Sequence, residues 1–153
     1  MTEPITAVGR TYRTEIMTPP GIVTGAAYAD LDAIGVAWSF DVPRSGVIVS
    51  ANYYDLDDEG LQVDLWLLRD APTLQTDNSA LTFLDGDIVK VTDVLQFTAF
   101  RDAANCQVSN LNNIGRAYVM PGRKMWAQLQ ARGALNIAAL NLPAFALTIL
   151  ADE

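Results

Sequence analysis

An all-β sandwich or jelly roll of about eight antiparallel strands is the fold class this chain predicts, and three observations predict it. Apolar and polar residues alternate over short stretches, clusters of Gly, Pro, Asp and Asn punctuate those stretches, and no window carries a long amphipathic helical pattern. Two sheets that each bury one face satisfy such a pattern, because alternate side chains fill the space between them. A chain of 153 residues suits one domain whose core hides roughly 70% of its unfolded surface.

Taken in order, the first 25 residues differ from the rest. Pro4, Pro19, Pro20 and Gly21 bracket residues 10–17, which read either as an edge strand or as an extended arm able to join a neighbour's sheet. Residues 26–153 read as a single jelly-roll domain. Val36, Trp38 and Phe40 alternate with Ala37, Ser39 and Asp41 in a strand that Pro43 stops by removing a donor and fixing φ. Residues 47–54 are rich in β-branched and aromatic side chains. In residues 61–68, Leu61, Val63, Leu65 and Leu67 point one way while Gln62, Asp64 and Trp66 point the other. Residues 55–60 supply turn formers and a glycine, so the two strands predict a long hairpin. Residues 76–81 predict a single helical turn capped by Asp77 or Asn78, Asp85-Gly86-Asp87 a turn, and residues 87–94 either a short helix or a strand. Residues 91–100, 117–120, 125–132 and 144–151 complete the strands. The Asn-rich run 103–113 reads as a break between them.

Composition narrows the function. The net charge of −8 argues against a sequence-independent grip on nucleic acid, which needs Lys and Arg against phosphates. No apolar stretch approaches the roughly 20 residues of a membrane-spanning helix, and residues 1–6 lack the basic start and apolar core of a secretory signal. Neither nucleic acid nor membrane is an expected partner. Cys106 is the single cysteine, so packing or assembly rather than a disulfide must hold the fold. Residues 1–102 hold sixteen acidic and six basic side chains, whereas residues 103–151 hold no acid and four bases, Arg116, Arg123, Lys124 and Arg132. Such an island could steer a neighbouring copy, or strands from both parts could interleave and dissolve it.

The chemistry an enzyme needs is sparse. With no histidine, the usual partner of a serine or cysteine nucleophile is missing. Asp55, Asp57, Glu59 and Gly60 resemble the opening of a calcium loop, but the position for a bidentate Glu holds Trp66 and the flanks read as strands, so a solvated tip is the stronger reading. Asp85 and Asp87 are turn residues on the same reasoning. Asp41, Asp64 and Asp93 are the carboxylates a two-acid glycosidase would use, an idea that rests on fold-level analogy alone. The expectation is a non-enzymatic protein without cofactor or metal. Aromatic and cationic side chains serve binding instead, and Tyr12, Ile16, Met17, Tyr54, Trp66, Arg116, Arg123 and Lys124 are the interface candidates. Trp66 and nearby tyrosines also suggest a second function, a receptor- or glycan-binding module associated with a fibre.

One resemblance bears on partners. Ser45-Gly46-Val47-Ile48-Val49-Ser50-Ala51, Asp64-Leu65-Trp66-Leu67-Leu68, Ala71-Pro72-Thr73 and Asp77-Asn78-Ser79-Ala80 are followed by Met125-Trp126-Ala127-Gln128-Leu129-Gln130-Ala131, Gly133-Ala134 and the β-run 144–151. Together they resemble a family of small tailed-bacteriophage virion proteins, the capsid decoration or cement proteins. The likeness spans roughly residues 22–151 and its motifs are soft: a pair of strands, a capped turn and a closing strand. It implies a jelly roll, commonly a trimer, made in the host cytoplasm and seated outside an icosahedral head against the major capsid protein. It carries no catalytic residue. The N-terminal arm and residues 96–113 depart from it.

Overall fold

A computed structural model describes residues 9–23, 25, 27–138 and 140–152. Its strands are β1 (Arg10–Arg13), β2 (Ala27–Tyr28), β3 (Ala33–Asp41), β4 (Ser45–Asp55), β5 (Val63–Leu68), β6 (Val91–Phe97), β7 (Arg101–Asp102), β8 (Gln107–Val119), β9 (Lys124–Ala131), β10 (Leu135–Asn136) and β11 (Ala144–Ala151), with one helical turn, α1 (Asp85–Ile88). One sheet runs in the order β1-β11-β4-β8-β7 and the other β3-β9-β5-β6, while β2 and β10 pair by themselves. All pairings are antiparallel. Apart from the short β2, β7 and β10, successive strands cross from one sheet to the other at every step but β5 to β6. That order is a jelly roll.

Alternation explains which side chains fill it. Val63, Leu65 and Leu67 of β5 and Met125, Ala127, Leu129 and Ala131 of β9 face Ile48, Ala51 and Tyr53 of β4 and Phe145, Leu147 and Ile149 of β11, all buried in one core. Trp38 packs on Phe145 at a centroid distance of 5.3 Å, and Tyr53 on Phe97 at 5.4 Å, the spacing of favourable aromatic pairs. Tyr54, the next residue, faces outward, as the strand period demands.

Residues 10–13 form the edge of the larger sheet, with Arg10 opposite Ala151 and Arg13 opposite Thr148. Of the two readings of the N-terminal segment, the structure takes the strand inside the same domain. Its continuation is pinned where Met17 exchanges backbone hydrogen bonds with Phe145.

Four expectations change. Residues 47–54 and 61–68 do not form a hairpin: β4 pairs with β11 and β8, and β5 with β6 and β9, so residues 56–62 cross between the sheets. Alternation states which face a side chain takes but not which strand lies beside it. The Asn-rich run is no break, since β8 begins at Gln107. Its outer side chains are polar because that face of the sheet meets water. Residues 76–81 hold no helical turn; Asp77 instead accepts hydrogen bonds from Gly35 N at 2.6 Å, Val23 N at 2.8 Å and the Tyr28 hydroxyl at 2.9 Å. Finally, Asp85-Gly86-Asp87 opens α1, and β6 follows at Val91.

The connection between β5 and β6, residues 69–90, lies over the outer face of the β3-β9-β5-β6 sheet. Ser79 and Asn78 bond the backbone of Ala33, Leu81 that of Leu31, and Ala80 bridges to Asp32. Phe83 then meets Trp66 edge-on at 5.3 Å. Beneath this cover Asp64, Gln128 and Gln130 are buried, so β5 and β9 are covered on both faces. Gly35 sits where this layer meets β3. Its φ is +68° and a Cβ there would lie 2.5 Å from the Pro20 carbonyl oxygen, which glycine alone tolerates. Among the described residues no helix is long and apolar enough to cross a membrane.

Candidate functional site

The strand registers decide what the acidic and basic side chains can do together. Lys124 Nζ lies 2.7 Å from Asp41, Arg116 Nε 3.2 Å from Asp93, and Arg132 Nε 3.6 Å from Asp64. Three of the four cations in the basic C-terminal stretch thus meet carboxylates from the acidic part of the chain. The charge asymmetry along the sequence dissolves into pairs within one molecule.

The same pairs separate the three carboxylates. Asp41 is opposite Lys124 and Asp64 opposite Gln130, six residues apart along β9, or roughly 20 Å. Asp93 sits opposite Leu67, on the inward face at the other edge of the sheet. A retaining or inverting glycosidase needs its carboxyl groups within roughly 5–10 Å of each other, so these three do not form a catalytic pair. Burial pushes the Asp64 carboxyl up, with Asp30 adding to the rise and Arg132 opposing it.

In the crossing loop each aspartate is occupied by the chain itself. Asp55 accepts from Gly60 N at 2.7 Å and Asp57 N at 3.2 Å, Asp57 from Ala138 N at 2.9 Å, and Asp58 from Gln107 Nε2 at 2.8 Å. Burial, then the charges of Asp57 and Asp55, push the Glu59 carboxyl up. Among the described residues no group of three or more His, Cys, Asp or Glu is placed to hold a metal ion. These carboxylates tie the loop to β8 and to residues 138–141.

Three of the interface candidates do come together. Tyr12, Arg123 and Lys124 surround Asp41 at the end of the sandwich where β3 stops, and the Tyr12 hydroxyl reaches the Asp41 carbonyl at 3.4 Å. Tyr12, Asp41 and Arg123 border a cleft of about 770 Å³ between the β1 and β3 edges, lined also by Arg10, Val42, Pro43 and Ala151. A smaller cleft of about 290 Å³ continues it past Thr14, Glu15 and Met17. The Tyr118 hydroxyl is pushed up to about 12 by burial, with the nearby Tyr12 and Asp152 adding to the rise.

Of the other five, Met17 lines the smaller cleft and the rest lie apart. Tyr54 is on the outer face of the larger sheet, where its hydroxyl accepts a 2.7 Å hydrogen bond from Arg13 Nη2, beside the hydrogen-bonded pair Asn52 and Asn110. Ile16 is exposed, whereas Met17 packs against the core. Arg116 closes the gap between β8 and β6 through Asp93. Trp66 is no open platform: Phe83 stands on its ring and its Nε1 donates to Gln130 Oε1 at 3.0 Å.

Sequence reasoning missed a second surface. Leu74, Leu84, Ile88 and Val89 are 80%, 60%, 52% and 68% exposed, although all belong to an ordered segment. Asp87 organises them. Its buried carboxylate accepts from Thr73 N at 2.9 Å, Leu84 N at 3.1 Å and Lys90 Nζ at 3.1 Å, binding both limbs of the connection around α1. The spacing of Leu84 and Ile88, one helical turn apart, was the available signal. A scan against protein-family models finds no match for the chain, and a search of curated proteins finds none either.

Proposed function

We propose that this protein is a structural binding module, a capsid decoration or cement protein of a tailed bacteriophage. It associates with copies of itself, three being the number the resemblance implies, and binds the outer surface of an assembled head, where it braces junctions between major capsid subunits. The observation that carries this reading is the exposed apolar cluster of Leu74, Leu84, Ile88 and Val89 on a rigidly tied end of a jelly roll. Three large apolar side chains held in water by an organised turn, with exposed Leu74 in the same connection, mark a docking surface. The separation of Asp41, Asp64 and Asp93 supports binding over hydrolysis, and the covered ring of Trp66 counts against a sugar platform.

Burying about 800 Å² per partner makes a standard stable contact, and repetition over a shell multiplies a modest free energy. The test is co-sedimentation of the purified protein with assembled shells and with unassembled capsid subunits. We expect binding to shells and little to subunits, and particles carrying the protein to withstand more heat than particles without it. Binding to neither shells nor subunits, or a saccharide-specific signal abolished by Trp66→Ala, would discard the reading.

A further inference from the structure

Two features of the sandwich occupy the same end but opposite sides. Asp41 closes β3 opposite Lys124 at the start of β9, and Leu68 at the end of β5 lies opposite both Trp126 and Val91. The cleft beside Asp41 and the turn α1, which leads into Val91, therefore lie at about the same height. In the sheet order β3-β9-β5-β6 they flank the two opposite edges.

Their shapes and charges complement each other. The α1 side projects: Leu84, Ile88 and Val89 stand out on a one-turn helix with exposed Asp85 beside them. The other side is recessed, a cleft of about 770 Å³ whose lining includes Arg10, Tyr12, Pro43 and Ala151. That volume is in the range of pockets that accept a ligand of several side chains. Asp41, a carboxylate of the cleft lining, is engaged by Lys124 at 2.7 Å, so exposed Arg10 is the lining cation that would meet an incoming acid.

We infer that the occupant of this cleft is α1 of a second copy of this chain, with Leu84 and Ile88 seated against Tyr12 and Asp85 directed to Arg10. Because projection and recess are different surfaces of one molecule, the contact is heterologous. An open row of copies keeps one projection and one recess unfilled until a ring closes. Their position at one height on opposite edges lets successive copies relate by rotation about an axis along the strands with little rise, the geometry a closed ring requires. The contact specifies the self-association in the proposed function and rests on that reading, but it is tested without shells. A protein that forms the ring and ignores shells would keep this inference and lose the other.

The experiment is light scattering of the full chain with two variants. Leu84→Glu with Ile88→Glu disables the projection, and Arg10→Glu with Tyr12→Ala disables the recess. All four side chains are exposed, and far-ultraviolet circular dichroism with thermal melting checks that each variant is folded. We expect wild type to be oligomeric, each variant alone to be monomeric, and an equimolar mixture to form a species of two copies, since one good projection and one good recess remain. As a milder probe, Asp85→Lys should weaken association about tenfold, and Arg10→Asp in the same chain should restore it. A monomeric wild type, an oligomer indifferent to both variants, or folded variants that stay monomeric on mixing would each overturn the inference.

Discussion

Asp87 and Asp64 are both buried aspartates, and their surroundings drive them in opposite directions. Burial alone would raise the Asp87 carboxyl, but hydrogen bonds from the Thr73 and Leu84 backbone and from Lys90 outweigh it and hold the group at about 2. The native state thus releases this proton more readily than the unfolded chain, whose carboxylates titrate near 4. The stabilisation is complete above about pH 4 and is lost as pH falls toward 2. Asp64 is raised instead, so it opposes folding at neutral pH and ceases to do so once protonated. We expect Asp87→Asn to cost about 2–3 kcal/mol at pH 7, as charged buried hydrogen bonds do. Denaturant melts between pH 5 and pH 2 should show the wild type losing that advantage while the variant changes less. Neither environment is written in the sequence, where Asp87 is one member of Asp85-Gly86-Asp87. Its donors come from Thr73 and Leu84, and only the folded connection brings them in.

Elements were legible to the degree that their faces differ. In β5, β9 and β11 the inward residues are Leu, Val, Ala, Met, Phe and Ile, and the alternation located each strand to within a few residues. β8 was hidden because its outward side chains include Asn110 and Asn112, and a strand with one wet face and few large inward residues reads as a loop. The connection 69–90 was hidden for another reason. It holds no regular element beyond α1, yet it supplies the outer layer over Trp66, and nothing local in the sequence says that Phe83 will stand there. Asp77 fastens this layer to Val23, Tyr28 and Gly35, and its partner Tyr28 has its hydroxyl pushed up, chiefly by burial and then by Asp77. We expect Asp77→Ala to loosen residues 77–83 without unfolding the sandwich. Hydrogen exchange should quicken at Asn78 and Leu81, and Trp66 fluorescence should shift to the red. Unchanged exchange at those two amides would show that the layer holds itself.

At the scale of the whole molecule, the fold class was readable and the candidate surface was not. Tyr12, Arg123 and Lys124 were singled out separately as aromatic or cationic residues; the turn at residues 120–123 and the edge strand β1 bring them around Asp41. The order of strands also makes β1 a guard. It covers the side of β11, whose inward residues Phe145, Leu147 and Ile149 are fully buried, and an uncovered edge of that composition invites pairing with other chains. A chain beginning at Thr14 should consequently aggregate at concentrations where the full chain stays dispersed, a difference that light scattering at matched concentration measures.

β11, the latest of these strands in chain order, lies between β1 and β4 and hydrogen-bonds to both. Until β11 has emerged from the ribosome that slot is vacant, and β1 has nothing to zip onto. Closure of the larger sheet must await the arrival of β11, a long-range step of the kind that folds slowly. During that interval the half-finished sandwich is the state a chaperone would meet.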